Sequence, residues 1–299
     1  MSASETARHG ALLVRESERG VLAVVGPDRA TWLNGVVTPE VATLRPGQAT
    51  FGLLLGKTGK IHTDFYAAAA SDRLLLAVAP GTAEQARSEL DRMLVMEDAE
   101  VLDRSEELEC LFLHGARAAE FAATVADQAA VAELDHTGFG GALLFVARAS
   151  AAPVQQKLEA AGARLGSAAE WLELRLERGI GVFGSDYGPG DNPHEAALDR
   201  KAVSWSKGCY LGQEAVFMQD ARGKLKRRLA WLNVAGPAPE AGTPLLSSAG
   251  EVVGEVTSAA PASDPGGSRA LARLKAPHFE PGSALMALGA PVVVEERPV

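Results

Sequence analysis

The sequence predicts an α+β fold whose C-terminal end is all β. Three observations carry this. Strand-like and helix-like stretches mix up to about residue 180, and residues 181–206 then scatter glycine, proline and aspartate with little periodicity. Beyond a basic run at 222–228, short β-rich stretches follow one another between proline and glycine turns, the pattern of a small barrel or sandwich. The boundary falls near 224–228, giving expected domains at residues 1–225 and 226–299.

In chain order, the apolar runs 11–14 and 21–25 flank a charged turn and read as a hairpin. Asp28 is placed to cap a short helix through Trp32 and Leu33 that stops at Gly35. Residues 51–55 and 60–67 flank Gly56-Lys57-Thr58-Gly59, a four-residue hairpin connection with two glycines. After a strand at 73–79, Thr82 and Gln85 form a capping-box pattern before a helix with Ala86, Leu90, Met93 and Leu94 on its apolar face. Strands at 108–113 and 142–146 bracket an alanine-rich helix at about 116–125. Pro153 opens a helix that Gly162 closes. Ser167 and Glu170 form a second capping-box pattern, and the helix they start runs to Gly179.

Composition narrows the function classes. With 47% hydrophobic and 22% charged residues, the chain has enough apolar material for a sizeable core. A net charge of −9 argues against a protein-wide footprint for nucleic acid. No apolar run approaches the roughly 20 residues that span a bilayer, and the N-terminus has no signal-peptide core. The expectation is a cytoplasmic protein without nucleic-acid or membrane partners. Cys110 and Cys209 stand far apart with no CxxC or Cys/His cluster, so neither a disulfide framework nor a metal site is expected.

The densest chemistry lies in Lys207-Gly208-Cys209-Tyr210-Leu211-Gly212-Gln213-Glu214, which sets an amine, a thiol, a phenol, an amide and a carboxylate among two glycines. Residues two apart share one side of an extended segment, so Lys207 is placed to lower the pKa of the Cys209 thiol. A lone cysteine is more often buried and inert. Glu177, at the end of its helix, is able to accept two hydrogen bonds from a flat donor pair, or to pair with Arg175 or Arg178 at the surface. Strand alternation places His62 and Asp64 on one face, as an acid/base pair or as the wet side of the strand. The basic run 222–228 is a candidate site for an anionic tail or a solvated linker.

The string KGCYLGQE resembles the KGCYxGQE signature of the YgfZ family, folate-binding relatives of the glycine cleavage T-protein. Supporting stretches are Thr31-Trp32-Leu33-Asn34-Gly35 with the following Val36-Val37-Thr38-Pro39-Glu40-Val41, Gly59-Lys60-Ile61 with Asp64, residues 174–179, and the glycine-spaced run 250–258. The resemblance implies a folate-binding domain of antiparallel sheets and helices around a central channel, followed by a C-terminal β-barrel. It implies tetrahydrofolate as ligand and iron–sulfur client or assembly proteins as partners. By that resemblance Glu177 binds the pterin, Cys209 and Lys207 are the candidate catalytic residues, and Asp64, Tyr210, Gln213 and Glu214 join Glu177 in cofactor binding.

Departures from the T-protein pattern bear on activity. T-proteins carry two adjacent acids where this chain has Thr63-Asp64, so the first is missing. An accessory role in iron–sulfur cluster assembly or repair is therefore the leading expectation, with a folate-dependent aminomethyl- or other one-carbon transferase as the alternative and a non-catalytic scaffold third.

Overall fold

The computed structural model describes residues 1–262 and 266–298; of the expected C-terminal domain, residues 263–265 and 299 lie outside it. Helix α1 (Ala3–His9) starts with a capping box in which Ser2 Oγ accepts from Glu5 N and the Glu5 carboxylate accepts from Ser2 N. Strands β1 (Leu12–Glu16) and β2 (Gly20–Val25) follow, then α2 (Arg29–Asn34), β3 (Ala49–Leu55), β4 (Ile61–Ala69), β5 (Leu74–Val78), α3 (Ala83–Asp91) and β6 (Glu100–Asp103). Next come β7 (Leu108–His114), α4 (Ala118–Ala123), β8 (Ala129–Glu133), β9 (Gly141–Ala147), α5 (Ala151–Ala161), β10 (Arg164–Leu165), α6 (Ala168–Glu177) and α7 (Gln213–Arg222). The all-β end holds β11 (Arg227–Val234), β12 (Pro244–Leu246), β13 (Val252–Pro261), β14 (Ser268–Lys275), β15 (Ala284–Ala287) and β16 (Ala290–Glu295).

These strands make two five-stranded sheets, ordered β10-β1-β7-β9-β8 and β3-β4-β5-β2-β6, and a closed six-stranded barrel ordered β11-β14-β13-β12-β15-β16. Closure leaves the barrel no free edge. The main core joins the facing sheets to α6, the 181–206 segment and one barrel wall, through residues such as Phe51, Tyr66, Phe112, Leu174, Tyr187 and Trp231. The barrel has a separate core around Leu232, Leu245, Leu274 and Val292. Among the described residues, no helix is long and apolar enough to cross a membrane.

The expected hairpin at 11–25 does not form. β1 pairs with β7 and β10 in the first sheet, whereas β2 pairs with β5 and β6 in the second. Both strands are buried along most of their length, so each takes neighbours on both edges, and the short link carries the chain from one sheet to the other. The Thr82 capping box is also absent. Thr82 Oγ1 instead donates to Ala79 O (2.8 Å) and shares a hydrogen bond with Thr63 Oγ1 (2.8 Å), while Gln85 Nε2 donates to Glu89 Oε1 (2.9 Å). Asp28 sits at the N-cap of α2 but accepts from Asp98 N (2.8 Å) rather than from the helix. The Ser167–Glu170 box of α6 forms as expected.

Candidate functional site

The KGCYLGQE loop is clasped against the second sheet. Lys207 Nζ donates to three backbone carbonyls, Asn34 O (2.6 Å), Val37 O (2.7 Å) and Pro39 O (2.7 Å), all just past α2 or at its end. Burial pushes this ammonium down to about 8, against the pull of Glu40. Three oxygens at the C-terminal end of a helix suit a cation. The amine is thus engaged with backbone and with the Tyr210 ring, 5.3 Å from its centre, rather than with the Cys209 thiol.

Two glycines let the loop approach the β3–β4 hairpin. Gly212 has φ +79°, and a Cβ there would lie 2.6 Å from Gly56 O; a Cβ on Gly59, at φ +72°, would lie 2.8 Å from the Ala215 Cβ. Tyr210 is buried with its hydroxyl unpartnered, whereas Cys209 is an exposed free thiol. Gln213 and Glu214 open α7, which the sequence reading missed because Val216 is its one buried residue; Gly212 and Gly223, both left-handed, were the available signal.

Asp64 lies in the interior rather than on a wet strand face, and His62 pairs with Glu89 (2.5 Å) instead. Arg19 Nη1 donates to Asp64 Oδ1 (2.9 Å) and the Tyr187 hydroxyl donates to Asp64 Oδ2 (2.5 Å). Arg19 also binds the Glu16 carboxylate and lies over the Tyr66 ring, 4.7 Å from its centre. Both oxygens of Asp64 are therefore held by protein groups.

Glu177 ends α6, half-buried, and accepts from Ser4 Oγ of α1. Arg175 points the other way, to Asp186 (2.8 Å) and Ser258 (2.8 Å), and Arg178 donates to Thr137 O (2.7 Å). Glu177 faces a cavity of about 680 Å³ with Phe139, Trp231, Arg8, Arg178 and Arg269. The guanidinium carbons of Arg8 and Arg178 lie 5.4 and 4.7 Å from the centre of the Phe139 ring.

A larger cavity, about 1190 Å³, separates the barrel from the loops carrying His136 and Lys201, and Trp231 lines both cavities. Sequence reasoning passed over Lys201, His136, Arg19 and Tyr187; the unusual length of the aperiodic 181–206 segment was the one hint for Tyr187 and Lys201. The basic run is partly tethered, since Arg227 binds Asp191 (2.7 Å) and Arg228 binds Asp199 (2.9 Å). Glu177, Asp64 and the KGCYLGQE loop thus occupy three separate places.

The arrangement of two five-stranded sheets and a closed barrel is a fold already seen in a solved structure. A crystal structure of glycine cleavage system aminomethyltransferase T from Bartonella henselae superposes with a TM-score of 0.85 at 21% identity, covering 99% of this chain and 88% of that one. The protein has a GcvT-like fold with a closed C-terminal barrel. Residues 3–141 match the GCVT N-terminal domain, and residues 226–298 match the CAF17 C-terminal beta-barrel domain. Among curated proteins, the chain is 29% identical to an aminomethyltransferase of Streptomyces avermitilis, over 90% of this chain and 79% of that one. It is 27% identical to the mitochondrial aminomethyltransferase of Canis lupus familiaris, over 88% and 72%.

Proposed function

We propose that this protein binds tetrahydrofolate in the cytoplasm and serves the assembly or repair of iron–sulfur clusters in client enzymes. The observation that carries this reading is the combination of a GCVT-type N-terminal domain, a CAF17-type barrel and an exposed Cys209 on the KGCYLGQE loop. The resemblance of that loop to the YgfZ signature supports it further.

The groups around Glu177 fit a folate. A half-buried carboxylate suits the N–H edge of a pterin, the Phe139 and Trp231 rings suit its faces, and Arg8 and Arg178 suit an acidic tail. When bound, tetrahydrofolate supplies a carrier for one-carbon units. Glu177 exchanges its hydrogen bond from Ser4 for two from the ligand. Cys209, held at the surface by the backbone clasp on Lys207, presents its sulfur to a client. Tyr210, Gln213 and Glu214 shape that loop and the start of α7, while Asp64 supports the site from the interior.

The names of the relatives favour a second reading, a folate-dependent aminomethyl- or one-carbon transferase. Thr63 in place of an acid, and an Asp64 enclosed by Arg19 and Tyr187, count against it. Calorimetric titration with reduced folate tests the proposal. Binding is expected to wild type and to be lost or strongly weakened in Glu177→Gln; equal binding by both sinks the pterin assignment. Full activity of iron–sulfur enzymes in cells depleted of the protein sinks the client role, and formation of methylene-tetrahydrofolate from an aminomethylated carrier moves the assignment to the transferase.

A further inference from the structure

The larger cavity between the barrel and the sheet-connecting loops has no role in the function proposed above. Lys201 stands where it meets two smaller cavities, and His136 borders all three with it. Lys201 Nζ donates to His136 O (2.9 Å) and has no carboxylate partner among the described residues. Arg297 lines the same junction. Its Nη1 donates to Ala197 O (2.7 Å), its Nε is buried without a partner, and it too has no ion pair among the described residues.

Nδ1 of His136 is likewise buried without a hydrogen bond, in a ring otherwise held by the Tyr66 hydroxyl at Nε2 (3.2 Å). The nearby acid is already engaged, because Asp135 Oδ1 accepts from Thr137 N (3.1 Å) and Gly138 N (2.7 Å). Arg228, by contrast, has Asp199.

Burial and neighbouring cations outweigh the pull of Asp135 on Lys201 and of Asp186 and Asp199 on Arg297. Burial, then Arg297, pushes Lys201 down to about 8; burial, then Arg228, pushes Arg297 down to about 10. The chain carries 38 acidic residues against 29 basic ones, and Asp135, Glu280, Glu295 and Glu296 line this same cavity, yet none of them forms an ion pair with Lys201 or Arg297 among the described residues. A half-buried cation without an ion pair, as Lys201 and Arg297 each are, is unfavourable unless something compensates it.

We propose that Lys201 and Arg297, with His136, form an oxyanion site that takes the carboxylate or phosphate group of a ligand held in this cavity. Lys201 supplies an ammonium with donors beyond its bond to His136 O, and Arg297 a planar fork with its Nε free, a pairing suited to an oxyanion. The site is independent of the folate reading, and Trp231 is the wall it shares with the Glu177 cavity.

Isothermal titration of the full chain with inorganic phosphate and, separately, with benzoate tests it and separates the two sources. At least one anion should saturate wild type. Lys201→Gln and Arg297→Gln should each weaken that binding about tenfold or more, and Lys201→Arg should retain it within about threefold. Thermal unfolding of each variant establishes that it is folded. Failure of both anions to bind, or equal binding by wild type and folded Lys201→Gln, overturns the proposal. Titration with reduced folate keeps the two readings apart: loss of folate binding in Glu177→Gln bears on the pterin assignment alone, and loss of anion binding with retention of folate binding in folded Lys201→Gln upholds the oxyanion site as a separate one.

Discussion

Arg19 and Asp64 form an ion pair of 2.9 Å in the interior, with side-chain exposures of 5% and 2%. Arg19 lies on the short link between the sheets and Asp64 on β4, so the pair fixes that link to the second sheet, while the Glu16 carboxylate, which Arg19 also binds, holds it to β1 of the first. Removing the arginine alone strands a buried carboxylate. Arg19→Met is expected to lower the stability by about 3–5 kcal/mol in denaturant unfolding, and Arg19→Met with Asp64→Asn by less. A double variant as unstable as the sum of both singles would show that the two side chains act separately.

The clasp on Lys207 leads to a different expectation from thiol tuning. Lys207→Gln removes charge-assisted hydrogen bonds to three carbonyls and should cost about 2 kcal/mol or more, with faster proteolytic cleavage near the loop. Because the ammonium is engaged with backbone, the pH profile of Cys209 alkylation should stay in place. A profile displaced upward by about one unit in a folded Lys207→Gln would restore the role of Lys207 as the group that activates the thiol.

Much of this architecture was legible in local pattern, and the exceptions have physical causes. The Gly56–Gly59 connection, the Ser167–Glu170 cap and the change to short strands after the basic run are written in neighbouring residues, and all three appear. The pairing of β1 and β2 is not local, because apolar strands buried on both faces take their partners from anywhere in the chain. The same holds for the site. Cys209 and Glu177 stood out by motif, but the enclosure of Asp64 depends on Arg19 and Tyr187, brought together over 45 and 123 positions. The cluster at Lys201 is assembled by Arg297, from the far end of the chain, through the closing of the barrel onto the sheets.

Thr63 offers a test of the transferase alternative. Its hydroxyl lies within hydrogen-bond reach of both Thr82 Oγ1 (2.8 Å) and the Asp64 carbonyl (2.9 Å) in the core. Thr63→Asp restores the paired acids of T-proteins but buries a carboxylate beside Asp64, away from any free cation of that network. The expected result is a less stable protein with no gain in methylene-tetrahydrofolate formation. A folded Thr63→Asp that gains transferase activity would count for the one-carbon reading.

Lys201 makes both stability and anion binding depend on pH in a defined window. Its folded-state value is about 8, below the usual 10.5, so the folded state holds this proton less tightly than the unfolded chain does. The groups facing it are Arg297 and Arg178, which repel its charge, Asp135, which attracts it, and the His136 carbonyl, which accepts its hydrogen bond. The penalty is fully present below about 8 and is relieved as pH rises towards 10.5, so this residue makes stability increase over that interval. A Lys201→Gln variant should show a shallower slope in denaturant midpoints measured across it, keeping the part that Lys207, also held at about 8, contributes. Anion binding runs the opposite way, since only the charged ammonium attracts an oxyanion. Affinity should therefore fall as pH rises through about 8 in wild type, and a bound anion, by favouring the proton, should move that fall to higher pH. An affinity flat from pH 7 to pH 9.5, on a protein that remains folded, would remove Lys201 from the oxyanion site.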